Sequence, residues 1–158
     1  MNKLGMFTDA SVNPKTKVGF GAYLVVDKET LSTETIPIIK LFNNTSSSKL
    51  ELQTLIWALN ETYNTRNEIT VYTDSQNIIS LLKRRQKLEV NNYISAKGKL
   101  SANHTIYKDF FKLYDNLNIK LIKVKGHIKS IRKNDIDKLF TIVDRASRNA
   151  LRNYYKIN

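Results

Sequence analysis

The sequence predicts a mixed α/β (α+β) fold: a five-stranded mixed sheet, built from three antiparallel strands and then β-α-β units, with helices on both faces. Three observations carry that expectation. Residues 3–42 hold three strand-like stretches joined by turn residues. After the polar run Asn43–Ser48 the apolar spacing switches to a helical period. From there, helical and strand-like stretches alternate to the end of the chain, the pattern of a sheet with helices packed on its faces.

The first strand is expected at Lys3–Thr8. The second, Val18–Val26, is entered through the turn-like Asn13-Pro14-Lys15. The third spans Leu31–Phe42, rich in Thr and Ile, and Pro37 marks it as an edge strand because proline cannot donate to a ladder. Ser48-x-x-Glu51 then reads as a capping box, followed by a helical stripe at Leu52, Leu55, Ile56, Leu59 and Tyr63. Glu68–Thr73 is a short strand. Ser75 opens a second helix with Ile78, Ile79, Leu81 and Leu82 on its apolar side, and a basic stretch runs on from Lys83 to Lys99. Ile106, Phe110, Leu113 and Leu117 mark a third helix, Ile119–Val124 a last strand, and Asp135–Tyr154 a long closing helix. Its stripe is Ile136, Leu139, Phe140, Val143, Ala146, Ser147 and Ala150. The order is β-β-β-α-β-α-α-β-α. A single domain over residues 1–158 is expected from this length.

Composition narrows the function. With 26 Lys and Arg against 14 Asp and Glu, the net charge is +12. Such an excess attracts polyanions, nucleic acid before an anionic membrane, since the basic residues form no amphipathic anchor. At 41% hydrophobic residues the chain can bury a core. It has no cysteine, which excludes disulfides and thiolate metal sites. No apolar run approaches the roughly 20 residues of a membrane helix, and Met1–Gly5 lacks the apolar region of a secretion signal. A cytoplasmic monomer that binds no membrane is the expectation.

Against that basic background four acids stand out. Asp9 and Asp74 follow strand-like stretches in matching Thr-Asp-x-x segments; Glu51 opens the first helix and Asp144 lies in the last. In open α/β sheets, sites form beyond the carboxyl ends of strands, where Asp9 and Asp74 would lie if their strands are parallel neighbours. Carboxylates gathered there repel unless a cation joins them, so the cluster points to divalent ions acting on a polyanion. Each acid also has a plainer role: turn residue for Asp9, capping-box partner for Glu51, helix N-cap for Asp74, solvated helix residue for Asp144.

Thr8-Asp9-Ala10-Ser11, Lys49-Leu50-Glu51-Leu52, Thr73-Asp74-Ser75-Gln76, Lys125-Gly126-His127 and Asp144-Arg145-Ala146-Ser147-Arg148, in this order and in these elements, resemble type 1 ribonucleases H. The resemblance runs from Lys3 to about Arg152. It implies hydrolysis of the RNA strand of an RNA–DNA hybrid with two Mg²⁺ ions, Mn²⁺ being a substitute. Asp9, Glu51, Asp74 and Asp144 would be the catalytic metal ligands. Asp137, seven residues before Asp144, competes for the last position because it restores the family's shorter spacing from the Gly-His pair. His127 would move protons or assist product release. Ser11, Gln76 and the Asn44–Ser48 loop would meet the RNA minor groove, while Asn13 and Ser46 would grip a DNA phosphate. Lys83, Arg84, Arg85 and Tyr93 fall in the family's basic substrate handle, here without a tryptophan, since Trp57 is the only one and lies in the first helix. Two other readings remain: a non-catalytic nucleic-acid-binding module of this fold, and a resolvase or integrase-type DNA nuclease.

The resemblance makes a first prediction. Asp74→Asn should fold normally and lose hydrolysis of hybrid with Mg²⁺, read by circular dichroism and a labelled-strand assay; undiminished turnover would remove Asp74 from the site.

Overall fold

The computed structural model describes residues 2–125 and 134–157. Its elements follow the expected order: β1 (Lys3–Asn13), β2 (Val18–Asp27), β3 (Ile38–Phe42), α1 (Ser47–Glu61), β4 (Glu68–Thr73), α2 (Gln76–Val90), α3 (His104–Asn116), β5 (Asn118–Lys123) and α4 (Asp135–Ile157). The five strands form one sheet in the order β3-β2-β1-β4-β5. β1–β2 and β2–β3 are antiparallel, while β1–β4 and β4–β5 are parallel.

Alternation along β1 divides the core. Met6 packs with Leu55, Leu59, Ile69, Val71, Leu81 and Phe110 beneath α1, α2 and α3. Phe7 points the other way, with Leu24, Tyr72, Leu139, Phe140 and Val143 beneath α4. β1 thus seals two layers, as an interior strand with helices on both sides must. Among the described residues, no helix is long and apolar enough to cross a membrane.

Two strands differ from the sequence expectation. β1 does not stop at Thr8 but continues to Asn13, paired with β2 through Asp9↔Ala22 and on to Asn13↔Val18. The polar half of β1 lacks an apolar period, so cross-strand pairing rather than local pattern holds it extended. Asn13 then closes the turn, its side-chain oxygen accepting from the Lys15 and Thr16 amides at 2.9 and 3.3 Å. β3 is shorter than Leu31–Phe42. Leu31 takes a left-handed φ of 45°, which breaks extended structure, and pairing starts only after Pro37.

Helix α1 sits unusually close to β2. A Cβ on Gly21 would overlap the Thr54 hydroxyl and lie 2.9 Å from its methyl; one on Gly19 would overlap Leu50 and lie 2.8 Å from the Ser11 carbonyl. These two glycines let the helix that carries Glu51 settle against the sheet beside Ser11. Gly21→Ala should therefore cost about 1–3 kcal/mol by overpacking. Thr54→Ala in the same chain should restore part of it, by denaturant unfolding; additive losses would mean that the two positions do not compete for space.

Candidate active site

The β1–β4 register builds the site. Phe7 pairs with Tyr72, and their rings stack at 4.6 Å and 11° on the α4 face. Asp9 and Asp74 each lie two residues further on. A strand's side chains repeat every second residue, so Asp9 shares the Phe7 face, the side covered by α4. The same helix face that buries Leu139, Phe140 and Val143 carries Asp144. Asp144 is hydrogen-bonded to the Asp9 carboxyl. Glu51 reaches in from α1 on the opposite side of the sheet, its Oε2 accepting from the Ser75 hydroxyl at 2.6 Å.

The electrostatics are those of like charges in partial burial. The Asp9 carboxyl is pushed up from 3.8 to about 8, first by burial, then by the Asp74 charge and by its hydrogen bond with Asp144. The backbone N–H of Ala10 works against that rise. With its value at about 8, Asp9 is a carboxylic acid at neutral pH. Glu51 is raised too, by burial; the Ser75 hydrogen bond lowers it and the Asp74 charge raises it. Asp144 pairs with the Arg148 guanidinium at 3.0 Å, one helical turn on. The four acids thus form a chain of interacting neighbours with Asp9 and Asp74 at its middle.

The carboxylates do not meet at one point. Among the described residues, no three His, Cys, Asp or Glu side chains are grouped as a metal ion would need. Like charges take whatever compensation lies nearest: a proton at Asp9, a hydroxyl at Glu51, a guanidinium at Asp144. The donor set nevertheless suits a hard divalent cation. It is all carboxylate, is drawn from four different elements and is destabilised by mutual repulsion that a cation relieves.

The structure places Asp137 and Asp144 differently. Asp137 and Asn134 cap the start of α4 reciprocally: the Asp137 amide donates to the Asn134 side-chain oxygen at 2.9 Å, and the Asn134 amide to the Asp137 carboxylate at 3.2 Å. Asp144, two turns along, is the acid brought to Asp9. The expected capping box at Ser48 and Glu51 is corrected as well. Ser46 caps α1, accepting from the Lys49 amide at 3.4 Å, which leaves Glu51 to face Ser75. Asp74 is not the N-cap of α2; Ser75 is, accepting from the Ile78 amide at 3.3 Å.

The other expected residues fall into two regions. Ser11, Asn13 and Ser46 line an open cleft of about 1040 Å³ with Lys15, Lys17, Arg148, Arg152 and Tyr155. The two arginines were not anticipated from the sequence. Their signal was the spacing of Asp144, Arg148 and Arg152, a four-residue step that lines one helix face. Asn44, with a left-handed φ of 51°, turns the chain just before the α1 cap. Gln76 opens α2 beside Asp74, its amide oxygen accepting from Lys123 Nζ at 2.7 Å.

In the basic stretch, Lys83 and Arg84 are exposed on α2, with Arg84 over the Tyr107 ring. Arg85 differs. It is bidentate to Asp115 at 2.6 and 2.7 Å, bonds Glu89 and lies 4.7 Å from the Phe111 ring, so it ties α2 to α3. Tyr93 is 8% exposed, its ring 5.1 Å from Lys108 Nζ; a buried ring is no stacking platform. His127 lies outside the described residues.

Comparison with known proteins agrees with this geometry. The family model for RNase H matches residues 1–149. The ribonuclease H of a Thermoanaerobacter species is 27% identical over 100 residues, covering 62% of this chain and 64% of that protein. That of Desulforamulus reducens is 28% identical over 88 residues, covering 54% and 55%. The chain thus spans rather less than two thirds of the length of the curated relatives it matches. Among solved structures, a type 1 RNase H with the type 2 active-site motif superposes with a TM-score of 0.72 at 14% identity, covering 94% of this chain and 72% of that one. The PFV RNase H domain gives 0.72 at 14% identity, covering 94% and 92%. A family match over nearly the whole chain, on a sheet of this order with Asp9 and Asp74 just beyond the last parallel β1–β4 pair, has one conclusion: the chain belongs to the RNase H family.

Proposed function

We propose that this chain is an endonuclease that hydrolyses the RNA strand of RNA–DNA hybrids, largely without regard to sequence, using two divalent ions, Mg²⁺ by preference. The single observation that carries the reading is the Asp9 carboxyl held between Asp74 and Asp144 just beyond the last parallel pair of β1 and β4. Perturbed carboxylates of this kind gather at functional sites.

Asp9, Glu51, Asp74 and Asp144 would hold the ions. When bound, such ions supply an acidified water and neutralise charge on the phosphate that is cut. The chain's own residues prepare that chemistry. Ser75 fixes the Glu51 carboxylate from the α2 N-cap, and Arg148 fixes Asp144 from the next helical turn. The cleft beside them presents Lys15, Lys17, Arg148 and Arg152 to a nucleic-acid backbone, and such phosphate contacts position a duplex without reading its sequence. Lys83 and Arg84 extend the positive surface along α2. His127 would move protons or assist product release and would not be required for ion binding.

Labelled hybrid, double-stranded DNA and double-stranded RNA, each incubated with and without Mg²⁺, test the reading. Cleavage confined to the RNA of the hybrid is expected. Binding without cleavage would point to the non-catalytic module, and cutting of DNA to a resolvase-type nuclease. In the same assay Asp144→Asn should lose at least about a hundredfold in rate. Asp137→Asn should keep its rate, and most of its stability, because its amide oxygen still accepts from the Asn134 amide. The reverse pattern would overturn the assignment of Asp144.

The cluster also predicts a pH dependence independent of turnover. Asp9 has an ordinary value of 3.8 and about 8 in the folded chain. The folded state thus holds this proton more tightly than the unfolded one. Stability is highest below the unfolded value and is lost as pH rises through about 8. In divalent-free buffer at pH 8, Asp9→Asn should be more stable than wild type by about 1 kcal/mol or more, with the gap closing toward pH 4, by denaturant unfolding. A gap that does not change with pH would show that Asp9 does not titrate in this range.

A further inference from the structure

Ser147 is a fully buried hydroxyl in the middle of α4. Its oxygen lies 3.1 Å from the Asp144 carbonyl, to which it donates, and 3.2 Å from the Ser11 hydroxyl on β1. A serine hydroxyl carries one hydrogen and two lone pairs, and a carbonyl only accepts. The Ser147 hydrogen is therefore committed to Asp144, and toward Ser11 its oxygen is an acceptor. The Ser11 hydrogen is committed in turn, because it must point inward to Ser147. What remains of the Ser11 hydroxyl for the cleft it lines is a pair of lone pairs.

We infer that Ser147 is a positioning residue that sets the polarity of Ser11, making Ser11 an acceptor that selects a substrate group able to donate a hydrogen bond. The inference rests on the hybrid-cleavage reading above, which identifies that group as a ribose 2′-hydroxyl. A 2′-hydroxyl both donates and accepts, and it is what separates RNA from DNA. Deoxyribose offers hydrogen on carbon at that position and gives Ser11 nothing. A 2′-fluorine faces the lone pairs with an electronegative atom and no donor, although a fluorinated strand keeps an RNA-like sugar pucker. Shape and donor are thereby separable.

The device also couples recognition to the reactive centre. The carbonyl that anchors the relay belongs to Asp144, whose carboxyl is bonded to Asp9. Ser11 is two residues from Asp9 on the same strand face. The group that would test the sugar and the acids that would hold the ions are therefore tied through one helical turn and one strand.

Dissociation constants in EDTA provide the test, for a fixed DNA strand paired with RNA or with 2′-fluoro RNA of the same sequence. Wild type should prefer the RNA hybrid by about threefold to tenfold, the value of one neutral hydrogen bond. In Ser147→Ala the ratio should fall toward one. In Ser11→Ala it should fall equally, and adding Ser147→Ala to that chain should change it no further. Ser11→Ala, at a partly exposed position, keeps the test valid if the buried variant folds poorly. A packing role alone for Ser147 would weaken both hybrids alike and leave the ratio intact, and that outcome overturns the inference, as does a wild-type ratio of one. Cleavage of plain hybrid by wild type with Mg²⁺ is run alongside. If cleavage fails, the proposed function falls and the inference with it. If cleavage succeeds while the ratio is unmoved in Ser147→Ala, only the polarity of Ser11 is refuted.

Discussion

The pairing of Phe7 with Tyr72 governs the rest of this molecule. It fixes the parallel register of β1 against β4, and its stacked rings form the floor on which α4 lies. Because side chains alternate along a strand, the same register decides what stands two residues beyond each ring. A one-residue slip would turn Asp9 toward the α1 side and place Met6 under α4. The apolar core and the acidic site are thus one geometric solution. The hydrophobic layer specifies the register, and the register delivers the carboxylates.

Repulsion within the cluster is tolerated because it is local and compensated. Ser75 serves both as helix cap and as donor to Glu51, so a single hydroxyl satisfies backbone and site together. Arg148 serves both Asp144 and the neighbouring basic cleft. The remaining strain is concentrated on Asp9, which retains a proton at neutral pH. Functional sites commonly break the rules that the surrounding fold obeys, and here the violation centres on Asp9 and is shared by Glu51.

Much of this was readable from residues alone. The order of elements was legible because each carried its own period, from the stripe at Leu52, Leu55 and Leu59 to the one at Leu139, Val143 and Ala146. The four acids were legible because they sit in recurring local segments. What escaped the sequence was set by partners distant along the chain. The second half of β1 is extended because β2 pairs with it, not because Thr8–Asn13 favours a strand. Arg85 looks like surface charge until Asp115, thirty residues on, closes around it. Ser46 and Ser48 are equally good caps in composition, and the Ser46 side chain is the one that reaches a helix amide. Tyr93 reads as an exposed aromatic, yet its left-handed φ of 62° folds it inward.

The outer margin of the sheet has a consequence of its own. Among the described residues β3 is unpaired along its far side, with Ile38, Ile39 and Leu41 51%, 48% and 38% exposed on it and Ile36 90% exposed just before it. A bare ladder flanked by greasy side chains invites another chain to add itself. Brevity, the proline just before the strand and the ammonium of Lys40 are the gatekeepers of that border. At high concentration this rim, on the far side of the sheet from β5, is where a second chain would add itself.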